Sequence, residues 1–150
     1  MLTLPPSDRM KKRQLIILAI AFNLSGTVKA QCDSIANTCE RHMIASFVSD
    51  GQHYRSLLLN PEEYTEFHTT FFGETTYRIA ACSGLTDGNL IFRIYDQERH
   101  LLFSNRKNRN APYWDFKVKT TLEASIEAQL DPERNAGSGC AVILISFKQK

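Results

Sequence analysis

The four cysteines of this 150-residue chain, Cys32, Cys39, Cys82 and Cys140, are its most reactive side chains. A catalytic thiol needs a partnered histidine, and no such motif surrounds any of them. An even number, all downstream of residue 30, points to disulfides. Three pairings are open. If Asp33 to Ala45 is helical, Cys32 and Cys39 lie about 10 Å apart, beyond the roughly 7 Å that a bridge spans. A local Cys32–Cys39 bridge therefore requires Cys32 to curl back from the helix start. Cys82 ends one apolar run and Cys140 opens another. Cys82–Cys140 is the favoured pair, a staple across a sheet worth about 4 kcal/mol in the chain-entropy picture.

Other chemistry is thinly spread. His42, His53, His68 and His100 show no His-x-His or His-Glu-x-x-His spacing for zinc, and Ser83-Gly84 lies in no Gly-x-Ser-x-Gly elbow. His53, Glu66 and His68 converge only if the runs around Tyr54 and Phe67 form a hairpin. Asp87, Asn89 and Asp96 supply the hard oxygens that calcium takes in groups of about six to eight. Turn chemistry at Asp87-Gly88 and a strand-ending Asp96 are the favoured explanation. Arg99, His100, Arg106, Lys107 and Arg109 cluster around one loop, with Tyr113 and Trp114 after it. Cations beside aromatic rings suit an acidic glycan, a lipid headgroup or a protein partner; a solvated loop has the same composition.

The leader of the chain decides the compartment. A basic block, Met10 to Arg13, precedes the apolar run Leu15 to Phe22 and a polar stretch ending Val28-Lys29-Ala30. That order is the pattern of a cleaved signal over residues 1–30, with residues 1–9 as an extended start and a cut before Gln31. The run is too short to span a bilayer, which takes roughly 20 apolar residues. Gln31 separates the cut from Cys32, which disfavours a lipoprotein. Without residues 1–30 the chain keeps thirteen cations against fifteen anions, so its apparent net charge of +2 belongs to the leader. That charge therefore offers no support for a nucleic-acid partner, and none is expected.

The elements that must position these residues read as a short helix and eight strands. Asp33 suits a helix cap, with Ile35, Ala36, Cys39, Met43 and Ile44 on one face, within a lead-in over residues 31–50. From residue 51 the period turns to two. Strands are expected at Tyr54–Leu59, Thr65–Phe71, Thr76–Cys82, Leu90–Tyr95, Leu101–Ser104, Trp114–Lys119, Leu122–Leu130 and Cys140–Phe147. The first two read as a hairpin through Asn60-Pro61. Asn105 to Pro112 reads as an exposed loop, and Trp114 is expected in the core with Phe116 and Val118. In Leu122–Leu130 strict alternation overrides the helix preference of Ala, Leu and Glu. Cys140–Phe147 is apolar throughout, as a strand buried on both faces is. The fold expected over residues 51–150 is an antiparallel two-sheet β-sandwich with the helix packed outside.

Glu63 to Lys150 resembles the bacterial pre-peptidase C-terminal domains, jelly-roll sandwiches found on secreted proteins. The resemblance rests on Phe71-Phe72-Gly73, Thr76-Tyr77-Arg78-Ile79, Asn89 to Asp96 and Leu102-Phe103-Ser104. The mature chain is also similar to an uncharacterised family of small secreted proteins of Gram-negative bacteria, through Phe67–Gly84, Ile91–Asn105 and Ala111–Phe116. These resemblances imply a jelly roll and no particular activity. Asp87-Gly88-Asn89 departs from the Asp-rich pattern before the middle strand, which weakens calcium binding as an implication. The sequence thus reads as a non-catalytic interaction module, periplasmic or extracellular, with a protein or glycan partner, no stable membrane insertion and no cofactor. A small secreted hydrolase and a calcium-stabilised adhesive module are the alternatives.

Overall fold

A computed structural model describes residues 27–149. The basic block and apolar run of the expected signal lie outside the described residues, and the expected cut before Gln31 falls within helix α1, Thr27–Cys39. No described helix is long and apolar enough to cross a membrane. Eight strands follow: β1 (Phe47–Leu58), β2 (Tyr64–Phe71), β3 (Thr75–Cys82), β4 (Leu90–Asp96), β5 (Leu101–Ser104), β6 (Tyr113–Val118), β7 (Leu122–Leu130) and β8 (Gly139–Lys148). They form two four-stranded antiparallel sheets in the orders β1-β8-β3-β6 and β2-β7-β4-β5. First strand pairs last, second pairs seventh, third pairs sixth and fourth pairs fifth. This is a long hairpin rolled into a sandwich, the jelly-roll arrangement.

Alternation explains the core. Ala124, Ile126, Ala128 and Leu130 of β7 point inward, where they meet Phe92 and Ile94 of β4 and Ile143 and Ile145 of β8 in one buried cluster. Phe71 stands edge-on to Tyr77 and Phe116, with ring centroids 4.9 and 5.2 Å away. Gly73 lies so close to the neighbouring turn that a Cβ there would sit 2.9 Å from the carbonyl oxygen of Lys119. Strand β8 is buried on both faces, as its unbroken apolar run requires. Ala141, Ile143 and Ile145 face the main core, while Cys140, Val142 and Leu144 face a second one under α1.

That second core corrects the expected cysteine pairing. Cys32, Ile35, Ala36 and Cys39 fall three and four residues apart on α1 and are all buried against the sheet. Two helix cysteines a turn or more apart meet two different strands: Cys32 bonds Cys140 of β8, and Cys39 bonds Cys82 of β3. The register sets Cys82 opposite Val142. Cys82 and Cys140 are therefore diagonal neighbours at about 7–8 Å, too far to bridge directly.

The helix starts before Asp33, which is an interior residue rather than a cap, and Asp33 pairs with Arg55 of β1. A 3-10 turn, Glu40–His42, ends it, and Ile44 is exposed. Strand β1 opens at Phe47, ahead of residue 51. β1 and β2 are not a hairpin: the Asn60-Pro61 turn carries the chain from one sheet to the other, and β1 pairs β8 while β2 pairs β7. The expected exposed loop holds two buried asparagines, Asn105 at 0% and Asn110 at 5% exposure. Trp114 is 36% exposed. It points inward, but from edge strand β6, where it stacks on Phe103 of edge strand β5 at 5.1 Å across the open side of the sandwich.

Candidate functional site

The outer faces of the two sheets differ. Helix α1 covers that of β1-β8-β3-β6, whereas no helix lies on that of β2-β7-β4-β5 among the described residues. Because Phe67, Phe71, Ala124 and Ile126 point to the core, the alternate positions Glu66, His68, Thr70, Glu123, Ser125, Glu127 and Gln129 point out. The register places Glu66 opposite Glu127, and Glu127 opposite Arg93. Two facing carboxylates would repel. Two arginines offset this. Arg93 donates to Glu127 at 2.9 Å and to Gln129 at 3.3 Å. Arg99 reaches Glu66 at 3.1 Å and Glu127 at 3.6 Å, with its guanidinium 4.5 Å over the ring of Tyr95. Arg99 holds a φ of 64° in the β4–β5 turn, which aims its side chain back across the sheet.

Beside this network lies an open cleft of about 670 Å³, lined in part by Glu66, His68, Thr70, Asp96, Arg99 and Ser125. It brings His68 and Asp96 to one place, as a hydrolase would need. The remaining geometry is not that of a nucleophile with its base. His68 stands opposite Ser125 in the register, but no hydrogen bond joins them, and the His68 side chain is 77% exposed. Asp96 accepts from the backbone N–H groups of Glu98 and His100 and pairs with the His100 ring at 2.9 Å. These bonds, the His100 N–H foremost, hold its carboxyl below the ordinary carboxylate value.

The remaining sequence candidates scatter. Asp87 and Asn89 precede β4 and Asp96 ends it, about 20 Å away along a seven-residue strand. They cannot share one calcium ion. Asp87 pairs with Arg41 at 2.6 Å and His42 at 3.0 Å; partial burial raises its pKa, but those two partners outweigh burial and the net shift is downward. The Asn89 amide donates to Thr86. His42, Cys82 and Asp87 bring ligand atoms within 4.8 Å of one another, but the Cys82 sulfur is bonded to Cys39. His53 sits on β1 near Glu40 and away from the β2 histidine.

The basic and aromatic cluster does not form one surface either. Arg99 and His100 precede β5. Arg106, Lys107 and Arg109 follow it on an exposed turn, where Arg106 reaches Glu133 at 3.6 Å. Tyr113 faces the helix side of the opposite sheet, under the Arg78 guanidinium at 4.4 Å and beside His42. Of the six residues, Arg99 alone lines the cleft. Glu66, singled out in the sequence beside His53 and His68, belongs instead to the Arg99 network, which Glu127, Arg93 and Tyr95 complete; those three carried no signal in the sequence beyond their places in the alternating runs.

Fold and site together define a disulfide-stapled jelly-roll sandwich with one outer face under a helix and, among the described residues, no helix on the other. No family model matches the chain, and no curated protein matches it. Among solved structures it is similar to the crystal structure of Aeromonas hydrophila PliG, a periplasmic lysozyme inhibitor of g-type lysozyme, at 9% identity and a TM-score of 0.49, over 65% of this chain and 85% of that one.

Proposed function

We propose that the protein is an exported, non-catalytic binding module that meets a protein or glycan partner through the outer face of the β2-β7-β4-β5 sheet. One observation carries this reading. A doubly stapled helix covers one outer face, while the other carries a cleft beside ordered charges of both signs. Arg99, Glu66, Glu127 and Arg93 hold one another in place, so a polar partner would find them already oriented. The hydrolase alternative has less support, because the cleft offers no nucleophile hydrogen-bonded to a base. The calcium alternative has less again, because its oxygen donors lie at opposite ends of β4. Paired cysteines fit an oxidising compartment, to which the basic and apolar leader would deliver the chain.

Site-specific photo-crosslinking in an exporting Gram-negative cell tests this. A photoreactive residue at His68 should give a discrete adduct that Arg99→Glu abolishes, and one at Leu85, exposed elsewhere, should not. Equal adducts from both positions, no adduct from either, or a hydrolytic activity lost in His68→Ala would overturn the reading.

A further inference from the structure

We propose that the cleft on the outer face of the β2-β7-β4-β5 sheet takes the ammonium of a lysine side chain, so that the partner is a basic protein rather than a glycan. The inference rests on the partner surface proposed above and adds the chemistry of what fills it. Charge gives the first reason. The cleft, and an opening of about 540 Å³ that continues it past Thr70 and Glu123, are lined by four carboxylates, Glu66, Asp96, Glu98 and Glu123, and by no lysine. The one arginine of the lining, Arg99, is already engaged by Glu66 at 3.1 Å and Glu127 at 3.6 Å. Asp96 is met by the His100 ring and two backbone N–H groups. Glu123 differs: one of its oxygens accepts from the Gln97 amide at 3.0 Å, and it pairs with no cation among the described residues. An anionic group entering here would meet a surplus of negative charge, whereas a cation offsets it.

The floor gives a second, independent reason. Ser125 lines the cleft at 7% exposure, on the outward side of β7 between His68 of β2 and Tyr95 of β4. Its hydroxyl has no hydrogen-bond partner among the described residues, yet it is not sealed in as the Ser83 hydroxyl is. A nearly buried hydroxyl left so is costly until a ligand group meets it. Glu123 lies two positions away on the same side of the strand, about 7 Å along it, and Thr70 stands opposite Glu123. An ammonium carries three N–H donors and no acceptor, so one carboxylate and two hydroxyls on one patch match it group for group. A glycan would lack its stacking platform, because the ring of Tyr95 beside Ser125 already lies under the Arg99 guanidinium at 4.5 Å.

Capped trilysine, titrated into the isotope-labelled exported protein at low ionic strength while backbone amide shifts are followed by NMR, tests this. We expect saturable shifts centred on Thr70, Glu123 and Ser125, and none with the Nε-acetylated peptide, which keeps the stem and lacks the charge. Glu123→Gln should weaken binding about tenfold and Ser125→Ala about threefold. Glu133→Gln, which removes an exposed carboxylate on the turn after β7, should change nothing. Ser125→Ala separates a built site from general attraction between opposite charges, to which a hydroxyl contributes nothing, and the amide spectra confirm that the variants fold. Shifts away from the cleft, equal binding of the acetylated peptide, unchanged affinity in Ser125→Ala, or tighter binding of maltotriose at the same amides would overturn the proposal. Absence of trilysine shifts with the His68 adduct intact overturns the lysine and leaves the partner surface standing; absence of both overturns the surface itself.

Discussion

Arg78 grips Asp115 of the neighbouring strand through both carboxylate oxygens, Nε at 2.7 Å and Nη2 at 2.8 Å, on the face of the sheet that the helix covers. Its remaining terminal nitrogen donates to the backbone carbonyl of His42 at 2.8 Å. Its guanidinium lies over Tyr113 and within 5.0 Å of the Phe47 ring. One side chain therefore ties β3, β6, the start of β1 and the turn after α1 into a unit. The Asp115 bond also raises the Arg78 pKa above its ordinary value, so the charge is permanent.

Replacing Arg78 should loosen that unit. We expect Arg78→Ala to cost about 3 kcal/mol, from charge-assisted bonds and lost packing, measured by urea denaturation. Arg78→Lys should recover only part, since an ammonium cannot form the paired fork.

Asn105 substitutes for a missing strand residue. Where β5 ends, its amide accepts from the backbone N–H of Phe92 at 2.9 Å and donates to the carbonyl of Leu90 at 3.0 Å. Asn105→Ala strands both groups in the interior, and we expect a loss of about 3 kcal/mol. Asn105→Asp, unable to donate when ionised, should not restore it.

Trp114 should matter less than a core aromatic. With a third of its surface exposed and one stacking partner, Trp114→Ala is expected to cost about 1–2 kcal/mol, against about 3–5 kcal/mol for a fully buried ring. Chemical denaturation separates the two values.

Acid should act through Asp87. Its folded pKa lies below the ordinary 3.8, so its stabilising effect is complete above that value and disappears as pH falls through the depressed one. In stability profiles taken from about pH 6 to pH 2, Asp87→Asn should flatten part of the acid loss. Asp96, shifted the same way, should account for a further part.

How far this molecule can be read from its residues depends on range. Period two located strands such as β2, β6 and β7, because burial of alternate residues is written locally in runs such as Leu122–Leu130, although the first half of β1, ahead of residue 51, was missed. The two-faced burial of β8 was equally legible in its unbroken apolar run. Which strands become neighbours is not local: Asn60-Pro61 looks like a hairpin turn whether the chain returns along the same sheet or crosses to the other. The Glu66–Arg99–Glu127 network needs strands far apart in sequence to lie side by side, so Glu66 and Arg99 could be named as candidates but not joined, and Glu127 looked like an ordinary solvent-facing position. The buried asparagines in the 105–112 turn show the same limit, since a polar residue bound to backbone has the composition of a loop.

Helix α1 is stapled over one sheet face, and among the described residues no helix covers the other. Peptide mapping of the non-reduced exported protein tests it most directly. The structure requires Cys32 linked to Cys140 and Cys39 linked to Cys82. A Cys82–Cys140 peptide would contradict it, because the helix would then be unstapled from the sheet face it covers.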